Sequence, residues 1–179
     1  MSYTIAAIST PAGAAGLGVV RLSGDDAIAV AAKVFRPADA NRPLPSLKGY
    51  TAAYGHVFDS EGDMDDCVAL VFRAPHSYTG EDVVEFSCHG GAYLLQRTLR
   101  ACLAAGARPA GPGEFTRRAF MNGKMDLTQA ESVMGLIAAD GQLAARTALA
   151  AREGAVYRRL AAVQDALLGV AAQFSAYID

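Results

Sequence analysis

The groups in this chain that could do chemistry are three histidines, three cysteines and a few charged residues set into apolar runs. Cys88-His89 has the composition of a nucleophile and its base, yet neighbours on a strand point to opposite faces and cannot pair directly. His56, His76 and His89 fall in different segments without metal-ligand spacing. Cys67, Cys88 and Cys102 are odd in number and widely spaced, which excludes a disulfide framework or a CxxC pair and predicts reduced thiols. Glu85, inside "VVEFSCH", is more informative, because an ionised carboxylate in an apolar strand is costly unless it is paired or aimed at a ligand. Arg21 ends the apolar run "LGVV", and Lys124 follows Asn122-Gly123. Each also has a bland reading: an outward edge residue or salt bridge for Glu85, a solvated cation for Arg21 and Lys124. A ligand needing acceptors and cations together would give all three a common purpose.

Gly13, Gly16 and Gly18 invite comparison with phosphate loops, but no stretch supplies GxxxxGK followed by Ser or Thr. In "NGKMD" Met125 follows the lysine, and Arg118 stands where the first glycine would be. "GLGVVR" puts Arg21 where GxGxxG needs its third glycine. Nucleotide binding by this stretch of chain is therefore not expected.

The elements that must position these groups follow from hydrophobic periodicity. Thr4 to Ser9 and Leu17 to Leu22 read as strands on either side of the Gly-rich "TPAGAAG". Asp25 and Asp26 mark an acidic first turn, and Ala27, Ile28, Ala31, Val34 and Phe35 share one face of a helix expected to end near Arg36-Pro37. Tyr50 to Phe58 and Cys67 to Phe72 flank "SEGDMDD" as a hairpin does, "HSYTGED" is a loop, and "VVEFSCH" is a further strand. Gly90-Gly91 opens a helix with Leu95, Leu99, Cys102 and Leu103 on one face and Gly106 as its stop. The order β-β-α-β-β-β-α predicts an α+β fold, a mixed sheet with helices packed on one face.

Beyond Lys124 the chain becomes Ala-rich helix. Asp126 with Gln129 forms a capping-box variant, and Asp140-Gly141 breaks or caps again. Leu149, Val156, Leu160, Val163, Leu167, Val170 and Phe174 then make a coiled-coil-like seam. From Ala155 to Ile178 such a helix would run roughly 36 Å, and nothing following it covers the stripe. The expectation is a piece of a longer protein or an arm packing on a second copy, with folding back on its own sheet as the alternative.

The 179 residues allow one full core plus an appendage, and 52% hydrophobic against 19% charged residues excludes disorder. No apolar run reaches membrane-spanning length, and "MSYTIAAIST" lacks the basic start of a secretion signal, so the cytoplasm is the expected address. A net charge of −2 is not the footprint of a chain that grips nucleic acid by itself.

"TIAAISTPAGAAGLGVVRLSG", "SYTGEDVVEFSCHGG" and "ARPAGPGEFTRRAFMNGKMDLTQAE" together resemble the N-terminal part of the bacterial tRNA modification GTPase family MnmE, also called TrmE. The resemblance runs through essentially the whole chain in order. It implies an N-terminal α/β folate-binding and dimerisation domain over residues 1–119, like the tetrahydrofolate-binding domains of one-carbon enzymes. Residues 120–179 would be the first part of a helical domain, cut before the GTPase domain. The implied ligand is 5-formyltetrahydrofolate, with Arg21, Glu85 and Lys124 as the motif-matched contacts. GTP, Mg and K would belong only to the missing GTPase domain, so this chain alone is not expected to hydrolyse GTP. The family's C-terminal Cys-x-Gly-Lys is also missing. With its FAD- and NADH-dependent partner MnmG, the family adds a carboxymethylaminomethyl group at carbon 5 of the wobble uridine of tRNA. Two other readings compete. One is a free-standing folate-dependent aminomethyltransferase-like enzyme; the other is a tRNA-docking module using Arg146, Arg152, Arg158 and Arg159.

Overall fold

The computed structural model describes residues 3–152 and 155–178. Met1, Ser2 and Asp179 lie outside the described residues, as do the side chains of Val156 and Arg158. The chain divides into two compact units, Met1–Asn122 and Gly123–Asp179.

The first unit is built on a seven-stranded sheet. In chain order the strands are β1 (Ile5–Ile8), β2 (Ala15–Ser23), β3 (Phe35–Pro37), β4 (Thr51–Asp59), β5 (Gly62–Phe72), β6 (Val83–Gly90) and β7 (Arg108–Pro109). Across the sheet they lie in the order β3-β4-β5-β6-β2-β1-β7. Every pairing is antiparallel except β1 with β7, which is parallel. The sheet is therefore mixed, and its helices are α1 (Ala27–Ala32), α2 (Ala92–Ala104) and α3 (Glu114–Met121). The α+β architecture agrees with the sequence reading.

Period-two alternation decides which face each strand buries. Val20 and Leu22 of β2, Val84, Phe86 and Cys88 of β6, and Cys67, Ala69 and Val71 of β5 point into one core with Ile28, Val30 and Ala31 of α1 and Leu95 and Cys102 of α2. Gly18 continues the inward row of β2, and a Cβ there would overlap the Leu95 side chain, so the glycine lets α2 lie close on the sheet. Arg21, Glu85, Val68 and Tyr54 alternate with these buried positions and fall on the opposite face.

Three local readings differ from the structure. The first helix ends at Ala32, not near Arg36-Pro37, because Phe35–Pro37 instead pairs with β4. Phe35 turns into the core and stacks on Phe86, with ring centroids 5.7 Å apart. The polar "GDMDD" is strand, since β5 begins at Gly62 and its acids find cross-strand partners in Arg36, His56 and His89. The two-residue β7 carried no periodic signal and exists because Ile5 and Ala6 supply its register.

In the second unit α4 (Leu127–Ile137), α5 (Gln142–Arg152) and α6 (Ala155–Ile178) follow one another. Asp126 and Gln129 form the expected reciprocal capping box, each accepting the other's backbone N–H at 2.8 Å. The break at Asp140-Gly141 separates α4 from α5. Leu149 of the anticipated seam lies on α5, while Leu160, Val163, Leu167, Val170 and Phe174 lie on α6 and are exposed. Among the described residues no helix is long and apolar enough to cross a membrane.

Candidate functional site

Arg21 and Glu85 are direct cross-strand partners in the β2–β6 ladder. Residues so placed in an antiparallel pair hold their Cβ atoms ~4.5–5.5 Å apart, close enough for side chains to bond. Arg21 Nε donates to Glu85 Oε1 at 2.6 Å, and the two side chains remain 27% and 22% exposed. Among the described residues this is the pair's one hydrogen bond, so Glu85 Oε2 and the two terminal guanidinium nitrogens keep their capacity for another partner.

Two aromatic rings stand beside the guanidinium. Arg21 Cζ lies 5.7 Å from the centroid of Tyr78 and 5.4 Å from that of Phe115, within cation–π reach. Tyr78 comes from the loop before β6 and Phe115 from the first turn of α3, and a 2.8 Å hydrogen bond between the Tyr78 hydroxyl and Thr116 Oγ1 ties the two segments together. Gly113 makes this approach possible: at φ +67° it turns the chain into α3 in the left-handed conformation that glycine adopts without strain.

Behind the rings lies a largely buried ionic cluster. Arg118 Nη1 donates to both oxygens of Glu81 at 3.1 Å and to the Tyr3 carbonyl at 3.0 Å, while its Nη2 donates to Glu114 Oε1 at 3.1 Å. Glu81 also accepts from Ser23 Oγ at 2.7 Å, which connects the cluster to the end of β2. Burial opposes the charge on Glu114, but the Gly111 N–H and the Arg118 guanidinium win and hold its carboxyl below the usual glutamate value. The same balance leaves Arg118 above its ordinary value, since burial is outweighed by Glu81 and Glu114. This cluster makes α3 and the 77–82 loop a fixed frame for the Arg21–Glu85 pair.

Lys124 is exposed in the turn that opens the second unit. The structure thus brings Arg21 and Glu85 together within one unit and gives Lys124 to the other. Sequence reasoning missed Tyr78, Phe115, Glu81 and Arg118. Glu81, a charge beside Gly80, carried a usable signal, but nothing local said that it meets Arg118.

The remaining reactive groups do not assemble a nucleophile. Cys88 is buried while His89 is exposed, and His89 Nδ1 bonds Asp65 at 2.6 Å. That bond with the Asp65 carboxylate raises the imidazole pKa above 6.5. All three cysteines are free and buried. Burial pushes the Cys102 thiol up to about 12, and hydrogen bonding to Cys88 together with burial pushes Cys67 up as well. Among the described residues no group of three or more His, Cys, Asp or Glu side chains is arranged to hold a metal ion.

Residues 4–124 match the family model described as "GTP-binding protein TrmE N-terminus". The chain is 52% identical over 177 residues to the tRNA modification GTPase MnmE of Thermus thermophilus, covering 98% of this chain and 40% of that protein. It is 49% identical to the MnmE of Symbiobacterium thermophilum over 98% of this chain and 38% of that one. With the MnmE of Chloroflexus aurantiacus it shares 47% identity over 100% of this chain and 39% of the relative. It thus spans about two fifths of the length of these curated relatives. The family match includes Arg21, Glu85, the ring pair, Glu81, Glu114, Arg118 and Lys124, and the chain belongs to the TrmE N-terminus family.

Proposed function

We propose that this chain is the folate-binding and dimerisation module of a tRNA modification GTPase that acts in the cytoplasm. The observation that carries the reading is the partly exposed Arg21–Glu85 pair, which retains an acceptor oxygen and several N–H donors beside the Tyr78 and Phe115 rings. A reduced pterin presents adjacent N–H donors that suit a carboxylate, and the anionic glutamate tail of a folate suits a cation. Glu85 takes the pterin edge, and Arg21 and Lys124 supply the positive charge, with 5-formyltetrahydrofolate as the ligand. When bound, the folate supplies a one-carbon unit; the residues of this chain bind and orient it. The larger protein forms a homodimer. With MnmG, which uses FAD and NADH, it installs the carboxymethylaminomethyl group at carbon 5 of the wobble uridine of tRNA. GTP, Mg and K are the business of its GTPase domain.

Titrating the chain with 5-formyltetrahydrofolate, GTP and tRNA in parallel tests this, with binding expected for the folate alone. Charge-assisted hydrogen bonds contribute ~1.5–3 kcal/mol, so Glu85→Ala is expected to weaken folate binding about tenfold to a hundredfold. An affinity unchanged by that substitution would return Glu85 to the role of an ordinary cross-strand ion pair, worth ~0–1 kcal/mol.

A further inference from the structure

The first unit carries a second set of converging polar groups, on the helix side of its sheet and so on the opposite face from Arg21 and Glu85. There the outer face of α2 and the turn between β4 and β5 enclose a cleft of about 300 Å³, at the lower end of the range for small-ligand sites. Tyr93, Arg97, Arg100 and Ala104 recur along α2 at steps of four, three and four, which puts them in one row beside that turn. Arg97 is anchored: its Nε and Nη2 donate to the two oxygens of Asp59 at 2.7 and 2.8 Å, and its Nη1 has no hydrogen bond among the described residues. Arg100 is exposed and has neither hydrogen bond nor ion pair among the described residues. Glu61 lies 3.1 Å from Arg97 Nη2, yet its side chain is 76% exposed, so only a weak surface contact keeps it there. A carboxylate of the protein itself thus rests on the guanidinium, in a place that it can leave for water.

Charge decides what takes its place. Arg97 and Asp59 cancel, and once Glu61 turns outward Arg100 is left as one uncompensated positive charge. A carboxylate brings one negative charge and two oxygens in the plane that suits guanidinium N–H groups. A phosphate monoester brings ~1.5–2 negative charges at neutral pH and would leave an excess beside Asp59. The Ala101 and Ala104 methyls and the exposed Tyr93 ring offer apolar surface to the rest of the ligand. We propose that this cleft binds a small organic monocarboxylate with a flat apolar body, Arg97 Nη1 and Arg100 donating to its two oxygens and Glu61 serving as the displaceable stand-in. The occupant clamps the β4–β5 turn to α2.

Benzoate is the probe, because it has the charge and the flat ring but no pterin; its result bears on this cleft and leaves the folate reading to its own test. In NMR titration of the chain, benzoate is expected to shift the Arg97 Nε–H and Tyr93 ring signals saturably, with a Kd on the order of 1 mM for so few atoms. Benzamide, the neutral isostere, should leave those signals unmoved, and phenyl phosphate should bind less tightly than benzoate. Arg100→Met is expected to weaken benzoate binding about tenfold or more, whereas Glu61→Gln should strengthen it up to about fivefold by removing the resident competitor. Both side chains are exposed, so neither substitution disturbs the core. No shift at Arg97, equal shifts from benzamide, or an affinity unchanged in Arg100→Met would overturn the site. Tighter binding of phenyl phosphate would overturn the choice of a carboxylate, and weaker binding in Glu61→Gln would overturn the displacement of Glu61.

Discussion

Replacing Arg118 with Met keeps most of the side-chain volume and removes a charge that bonds both Glu81 and Glu114. The side chains of Arg118, Glu81 and Glu114 are only 10%, 9% and 14% exposed, so water does little to screen their interaction. Removing one partner of a buried ion pair costs ~3–5 kcal/mol, mostly because the charges left behind stay desolvated. A unit of about 120 residues has a stability of roughly 6–18 kcal/mol at ~0.05–0.15 kcal/mol per residue, so the loss would be a large share. The melting temperature should fall by on the order of 10–20 °C. Arg36→Met is the built-in control, because Arg36 and Asp63 are 56% and 53% exposed and such a pair contributes ~0–1 kcal/mol. Urea unfolding followed by near-ultraviolet dichroism reports on the first unit through Tyr3, Tyr50, Tyr54, Tyr78 and Tyr93. The pH dependence gives an independent handle. Glu114 has its folded pKa depressed, so in the unaltered chain its contribution is present above the ordinary glutamate value of 4.5 and is lost as pH falls through the folded value. The deficit of Arg118→Met should accordingly be largest near neutral pH and should narrow below about 4.5, as Glu114 takes up a proton. A loss under ~1 kcal/mol, equal to that of Arg36→Met, would refute the view that this cluster frames the site.

Two further outcomes follow from the reactive groups. The His89 imidazole should titrate above 6.5 by NMR, and Asp65→Asn should bring it back toward that value; with a raised folded pKa, its contribution to stability is present below 6.5 and is lost as pH rises through the folded value. A midpoint at or below 6.5 in the unaltered chain would contradict the bonded geometry. Cys67, Cys88 and Cys102 should resist an aromatic disulfide reagent in the native state and react together once the chain is denatured, since all are buried and two have raised pKa values. Fast reaction of any one under native conditions would place it outside the core.

What the sequence alone determined was whatever depends on near neighbours. The apolar runs "LGVV" and "VVEFSCH" established strands and marked Arg21 and Glu85 as charges set into apolar sequence. The Asp126–Gln129 box was legible for the same reason, because a cap spans three residues and closes on itself. The meeting of Arg21 with Glu85 was decided only by the tertiary structure, since β6 crosses back to lie beside β2 and brings together residues 64 apart in the chain. The same holds for Arg118 and Glu81, 37 residues apart, and for Phe115 reaching Arg21 from α3. Strands as short as β3 and β7 are likewise products of their neighbours. Two or three residues carry no period of their own, and it is the adjacent strand's unpaired N–H and C=O groups that draw them into the sheet.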